Sequence, residues 1–454
     1  MKKSVLSVAL LVTPMMSNAA GFALIEQSGS GMGNAYAGAS AIAEDASTIY
    51  FNPAGMTYIE GTQVVGALHL IKPSGEFNNE GSLPGATIPL GNRPLGGEGG
   101  DIGDLAFVPN FYYKRDISEA VKFGLGVGAP FGLKTEYSKD WIGRFQGIKS
   151  ELKTVNINPA LAFKVNDQLS LGFGVSAMWI QAELTSAINL GAQESSLKIK
   201  GDDWGFGYNL GAIYQITKDT RLGLAFRSKV DQKLRGDSKS PFTTFDANPN
   251  LRLNGDLTAE TTLPETLSLS SFTHLNQDWD LLGDVTWTRW SRFRELRILR
   301  ENGSTLGLTP ENWNNTMRYS VALNYKYSDT LKLRGGLAYD EEAIDDEFRT
   351  VRIPGNDRKW LTFGTGWQAT PSTQLDIGYA HLFVSDTKID DNQTTATFGV
   401  PGRGRVRGYY DASVDIVSMQ VTHNFSFFSA PLYLEDSIKH RFALPIRLSY
   451  KQTC

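Results

Sequence analysis

Residues 316–327 read TMRYSVALNYKY. Met317, Tyr319, Val321, Leu323, Tyr325 and Tyr327 alternate with Arg318, Ser320, Ala322, Asn324 and Lys326. A β-strand sends successive side chains to opposite faces, so the stretch predicts a strand with one apolar and one polar face. The pattern recurs. Trp279, Leu281, Val285 and Trp287 oppose Asp280, Asp284, Thr286 and Thr288, and Leu169, Leu171, Phe173, Val175 and Trp179 oppose Ser170, Gly172, Gly174 and Ser176. A soluble sandwich would alternate too. Aromatics near the ends of the apolar faces, Trp279 with Trp287 and Trp204 with Tyr214, instead suit the two girdles of a barrel with its apolar face in lipid.

Connection lengths support the barrel. Short turns fall near 115–118, 166–168, 217–219, 276–278, 328–329 and 371–372. Long connections fall near 72–104, 132–149, 186–202, 232–255, 291–313, 341–356 and 387–410. Between them lie fourteen candidate strands, beginning near 61, 105, 119, 150, 168, 203, 219, 256, 278, 314, 330, 357, 373 and 411. An even count with alternating short and long connections predicts an all-β fold, a 14-stranded antiparallel transmembrane β-barrel. Closure leaves no sheet edge for hydrocarbon to meet.

Lys2 and Lys3, the apolar run Val5–Val12 and the small residues Ser17-Asn18-Ala19-Ala20 read as a secretory signal peptide. Cleavage is expected after Ala19 or Ala20, with the mature chain starting near Gly21. The lone cysteine, Cys454, excludes a disulfide within the chain, and a net charge of −4 gives no sign of a nucleic-acid partner. The expected organisation is a signal peptide over 1–20, a non-strand segment over 21–60, the barrel over 61–425 and an atypical tail over 426–454.

DASTIYFNPAGM (45–56) is a poor strand, because Asn52-Pro53 and Gly55 favour a turn. The small residues from Gly29 to Ser40 suit close packing inside a lumen. Gly29-Ser-Gly-Met-Gly33 has no strand before it, so it does not read as a dinucleotide loop. The five histidines have no ligand spacing and no nucleophile has a placed base, so no cofactor, resident metal or enzymatic activity is expected. The acids at 340–347 leave calcium open beside an ordinary solvated loop. Arg292, Arg294, Arg297 and Arg300 fit either lipopolysaccharide phosphates or a plain surface strand. Among lumen-facing cations, Arg318 is the foremost candidate to meet a ligand carboxylate; pairing of Arg318, Arg334, Lys326 and Arg221 with Asp280, Asp284 or Asp376 is the alternative.

SGSGMGNAYAG (28–38), AIAEDAS (41–47) and FNPAGM (51–56) resemble the N-terminal hatch of the FadL-type long-chain fatty acid transporters. PFGLKTEY (130–137), WIGRFQG (141–147), NINPALAFKVND (156–167), WGFGYNLGAIYQI (204–216) and LPETLSLSSF (263–272) extend the resemblance across 21–425. It implies a hatch centred on Asn52, Pro53, Ala54 and Gly55, and a ligand pocket lined by Phe22, Leu24, Met178 and Ile180. It further implies an outer groove at Trp141, Ile142 and Phe145, and a lateral opening at a kinked third strand over Pro130, Phe131 and Gly132. Pro130 lacks a ladder donor, which gives that kink its own chemical reason. The implied function is passive uptake of a hydrophobic small molecule, foremost long-chain fatty acids, by a monomer among outer-membrane lipid and lipopolysaccharide. Uptake of monoaromatic hydrocarbons is the first alternative, ahead of a lipid hydrolase or an aqueous porin.

Overall fold

The computed structural model describes residues 21–425 apart from 88–90, 191–192 and 396–401. The expected signal peptide, the tail 426–454 and Cys454 lie outside the described residues. Fourteen wall strands run through the described residues, several of them in two segments. They are β1 (Thr62–Asn79), β2 (Ala106–Asp116), β3 (Val121–Gly128 and Gly132–Glu136), β4 (Lys149–Lys164), β5 (Leu169–Asn189), β6 (Glu194–Gln215) and β7 (Thr220–Arg227 and Val230–Lys239). Next come β8 (Gly255–Leu263 and Thr266–His274), β9 (Trp279–Thr288 and Glu295–Arg300), β10 (Thr305–Pro310 and Thr316–Lys326) and β11 (Leu331–Asp340). β12 (Arg358–Thr370), β13 (Thr373–Val384 and Thr387–Gln393) and β14 (Gly404–Phe425) complete the wall.

Each strand pairs antiparallel with its sequence neighbour, and β1 closes the circle by pairing with both β2 (Gln63 opposite Lys114) and β14 (Thr62 opposite Phe425). The count and the closure agree with the sequence reading. So does the alternation: on β10, Tyr319, Val321 and Leu323 are exposed towards lipid, whereas Arg318, Ser320, Ala322 and Asn324 are buried within.

The long connections are corrected. Residues 186–202 were expected as a loop, yet β5 and β6 stay paired out to Asn189 opposite Glu194. Likewise β1 runs to Asn79, and strand segments occupy Glu295–Arg300, Thr305–Pro310 and Thr387–Gln393. Beyond the bilayer the apolar residues pass to the inner face, as Leu184, Ile188, Leu197 and Ile199 do, so the ladder continues out of phase with the lipid-facing pattern that marks it in sequence.

Residues 21–59 lie inside the barrel as short helical turns, at Gly29–Met32, Ala39–Ile42, Thr48–Phe51 and Pro53–Tyr58. They are tied to the wall all round. Gln420 accepts from Gly29 N–H at 2.8 Å, Thr362 donates to the Gly33 carbonyl at 2.9 Å and Tyr112 to the Gln27 carbonyl at 2.8 Å. The wall approaches through glycines: a Cβ on Gly364 would fall 2.7 Å from Gly33 Cα. Arg334 is buried between Asp376 (2.7 Å) and Glu44 of the internal segment (3.0 Å).

Candidate functional site

β3 breaks at Ala129-Pro130-Phe131, between its segments Val121–Gly128 and Gly132–Glu136. Proline has no N–H to give to the ladder, so the strand loses continuity there. The N-terminal segment takes up the freed backbone groups. Leu24 N–H donates to the Pro130 carbonyl and Gly132 N–H to the Phe22 carbonyl, each at 2.8 Å, and Ala23 sits opposite Phe131 in an isolated antiparallel bridge. In effect, three residues form a short internal strand across the break.

That segment separates two cavities. Phe22 is surrounded by four rings, with centroids at 4.8 Å (Trp290), 5.5 Å (Trp313), 5.8 Å (Phe293) and 6.0 Å (Phe131). It packs in one buried cluster with Met178, Ile180 and Leu133, and it lines an apolar upper cavity together with Ile180, Leu152, Leu234 and Leu257. Leu24 turns the other way. It joins Tyr36, Trp290, Arg227, Arg318 and Trp360 around a deeper cavity. The structure thus brings Phe22, Met178, Ile180 and Phe131 together and places Leu24 and Arg318 on the far side of the partition.

Arg318 is committed within the barrel. It donates to the Ala35 carbonyl at 2.8 Å and lies 5.1 Å from the Trp360 ring. Arg221 likewise donates to the Ala41 carbonyl at 2.6 Å. Of the lumen cations, Arg334 forms the pairing with Asp376 that the sequence offered as the alternative.

Two cations line the upper cavity, Lys200 of β6 and Arg352 in the connection between β11 and β12. Its guanidinium donates to Ser150 Oγ at 3.0 Å and to the Lys149 carbonyl at 3.2 Å. Among the described residues no carboxylate stands within ion-pairing distance of it, in contrast to Arg334. Burial, with repulsion from Arg403, lowers its pKa to about 10, so it stays charged near neutrality. Glu311 lines the same cavity and accepts from Trp313 Nε1 at 2.9 Å. Burial raises its carboxyl to about 8, so near neutrality it is protonated and leaves the charge of Arg352 uncancelled. Neither residue was reached by sequence reasoning, since both sit in aperiodic connections. The only signal was a lone cation within Val351-Arg352-Ile353-Pro354.

Asn52 closes the internal segment's sharpest turn. Its Nδ2 donates to the Ser40 carbonyl at 2.7 Å and the Ala212 carbonyl at 3.0 Å, and its Oδ1 accepts from Ala54 N–H at 3.1 Å. Pro53 and Ala54 lie against Gly172 of β5. Gly55 is wedged so closely beside Thr48 and Ala43 that a side chain would clash.

Trp141, Ile142 and Phe145 are buried and line neither cavity. Trp141 stacks on Tyr137 at 3.7 Å and donates to the Gly147 carbonyl at 2.8 Å, in a core beneath the outer loops with Phe77 and Tyr410. Two of the acids at 340–347 have separate partners: Glu341 accepts from Met317 N–H at 2.8 Å and Asp345 from Asn314 at 2.8 Å. Among the described residues no group of three potential metal ligands gathers. Arg292 pairs with Glu265 at 2.8 Å and Arg297 with Glu295 at 2.7 Å.

A closed lipid-facing barrel with a packed lumen and apolar internal cavities defines the class: an outer-membrane transporter of hydrophobic compounds. The chain belongs to the family described as outer membrane protein transport protein (OMPP1/FadL/TodX), whose model matches residues 10–425. A long-chain fatty acid transport protein of Escherichia coli is 28% identical over 89% of this chain and 96% of its own length. Outer membrane protein P1 of Haemophilus influenzae is 32% identical over 84% of this chain and 89% of its own. A FadL homologue of Pseudomonas aeruginosa superposes with a TM-score of 0.83 at 25% identity, covering 90% of this chain and all of that one. The toluene transporter TodX of Pseudomonas putida shares the fold (TM-score 0.65, 15% identity, 88% of this chain and 98% of that one). The Escherichia coli relative and TodX are named as transport proteins.

Proposed function

We propose that this protein admits long-chain fatty acids passively through the outer membrane, with the upper cavity as their binding site. The observation that carries this reading is Arg352: a cation with no carboxylate within ion-pairing distance among the described residues, on the wall of a largely apolar cavity that Lys200, Glu151 and Glu311 also line. A fatty acid supplies what that arrangement lacks, a carboxylate for the guanidinium and methylenes for the apolar wall. Each methylene moved out of water contributes about 0.8 kcal/mol. A hydrocarbon such as toluene would leave Arg352 unused, and the fatty acid transporters among the relatives are the more similar in sequence.

Residues 21–60 act in this reading as a hatch that blocks aqueous diffusion. Its edge, Phe22–Leu24, gates the break in β3 at Pro130, Phe131 and Gly132, where the ligand leaves sideways through the wall. Nothing in the cycle consumes energy; substrate moves down its gradient. Equilibrium binding of a long-chain fatty acid and of toluene to the purified protein tests the substrate assignment. Saturable micromolar fatty acid binding that depends on Arg352 supports it, and preferential toluene binding would reverse it.

A further inference from the structure

The outward face of the barrel continues above its apolar band. On β6 Trp204, Phe206, Tyr208 and Leu210 are exposed to lipid, and the same alternation carries Asp202 and Lys198 onto that face above them. The ladders β4–β5, β5–β6 and upper β6–β7 each keep one register, so outward residues of four strands fall into cross-strand rows. Val155, Trp179 and Trp204 share one row. Above it lies a row of Lys153, Gln181, Asp202 and Arg235, then a row carrying the acids Glu151, Glu183 and Asp237. The top row is Lys149, Thr185, Lys198 and Lys239. Rows are about 6.7 Å apart along strands tilted by about 40°, so the top row stands roughly 15 Å above Trp204.

In that top row Lys198 lies directly opposite Lys239, and like charges so placed repel. The lysines lean on the acids beneath. Lys198 reaches Glu183 at 2.9 Å, Lys239 reaches Asp237 at 2.8 Å, and Lys149 sits between Glu151 (3.1 Å) and Glu183 (3.3 Å). Those acids are shared, since Lys153 also pairs with Glu151 at 2.9 Å. In the lowest charged row Asp202 accepts from Trp179 Nε1 at 3.4 Å. Among the described residues the exposed Arg235 side chain beside it has no ion pair or hydrogen bond. The arginines at 292–300 form no such surface, because Arg292 and Arg297 are paired and Arg300 is buried.

We propose that the outward face of β4–β7 above Trp179 and Trp204 is a docking surface for the phosphates of lipopolysaccharide in the outer leaflet. A phosphate accepts from several lysines at once and relieves the repulsion between Lys198 and Lys239. The planar guanidinium of Arg235 suits a phosphate bidentately. Height selects the lipid. A phospholipid puts its phosphate at one level beside the aromatic girdle. Lipopolysaccharide carries phosphates on its sugar head and acidic sugars above it, so it meets both the Arg235 row and the lysine row. The surface is independent of which substrate is carried.

Protein purified from outer membranes is stripped of lipid in detergent and titrated with deep-rough lipopolysaccharide in EDTA, which keeps divalent ions from bridging phosphate to the acids. Native mass spectrometry counts the bound molecules. Combining Lys198→Gln, Arg235→Gln and Lys239→Gln should weaken binding by at least about tenfold, given the attraction of each cation to an anionic lipid surface. Removing three cations at the opposite rim, Lys164→Gln, Lys218→Gln and Lys326→Gln, should leave it unchanged. Both variants are checked for folded migration on unheated gels. A further arm needs no variant: dephosphorylated lipopolysaccharide and phosphatidylglycerol should each bind the wild type more weakly than the intact glycolipid. Undiminished binding in the first variant, equal loss in both variants, equal affinity for the dephosphorylated form, or preference for phosphatidylglycerol would each overturn the proposal.

Discussion

Leu24 donates its backbone N–H to the carbonyl of Pro130 at 2.8 Å, so the N-terminal segment completes a wall strand that its own proline has interrupted. Among the described residues two backbone bonds hold the edge, the other running from Gly132 to Phe22, and Gln27 Nε2 donates to the Ala129 carbonyl at 2.9 Å beside them. At about 1 kcal/mol net each, the hydrogen bonds would oppose the proposed gate only modestly, beside the packing of Phe22 among its four rings.

A covalent lock tests that gate. Ala23 and Phe131 are bridge partners, and antiparallel partners have Cα atoms about 4.5–5.5 Å apart, within reach of a disulfide. Ala23→Cys with Phe131→Cys, in a Cys454→Ser background, should stop uptake of a fluorescent fatty acid when oxidised and recover it with a reductant. Equal uptake in both states would dismiss the lateral gate.

Arg352→Gln should weaken binding of a long-chain fatty acid by roughly 10- to 100-fold, the worth of about 1.5–3 kcal/mol for a hydrogen bond to a charged group. Toluene binding should be unchanged. Titration calorimetry in detergent distinguishes the two ligands, and a parallel loss of both would show that the substitution damages the cavity itself.

Fatty acid affinity should fall as pH rises through about 8, where Glu311 ionises beside Arg352 and opposes the ligand's charge. The arginine keeps its own charge up to about 10, so it is not the cause of the fall. Glu311→Gln should flatten the profile between pH 7 and 9, values that bracket the ionisation. Stability shifts with the same sign. Glu311 stays protonated in the folded chain up to about 8 but ionises near its ordinary 4.5 once unfolded. The contribution is therefore full below 4.5 and is lost as pH climbs towards 8.

Arg334→Ala leaves Asp376 and Glu44 buried without their shared cation. About 3–5 kcal/mol of destabilisation follows from breaking a buried pair on one side. Lys332→Ala removes a more exposed partner of Glu44 and should cost far less. Denaturant titration of the gel-shift between folded and unfolded barrel compares them, and equal midpoints would show that the buried knot contributes nothing.

What could be read from sequence followed the solvent. Where a strand crosses lipid, each residue faces either hydrocarbon or lumen, and TMRYSVALNYKY records that choice residue by residue. Beyond the membrane the alternation of β5 and β6 changes phase, with Leu184, Ile188, Leu197 and Ile199 on the inner face in place of the lipid face, so it did not continue the membrane pattern. Trp141 and Ile142 carry the composition of a binding surface, but they share a buried cluster with Phe77 and Tyr410, which are remote in sequence.

The chain's own pattern determined a fourteen-stranded barrel, and the chemistry of Asn52-Pro53 and Pro130 determined where a turn and a strand break must fall. Local conformation and two-faced burial are properties of neighbouring residues, so one sequence suffices for them. Only the tertiary structure decided that Phe22 divides two cavities, that Arg318 is spent on Ala35, and that Arg352 with Glu311 faces the upper cavity. Those roles depend on which distant groups desolvate and pair a charge, and that is set by closure of the barrel around its own N-terminus.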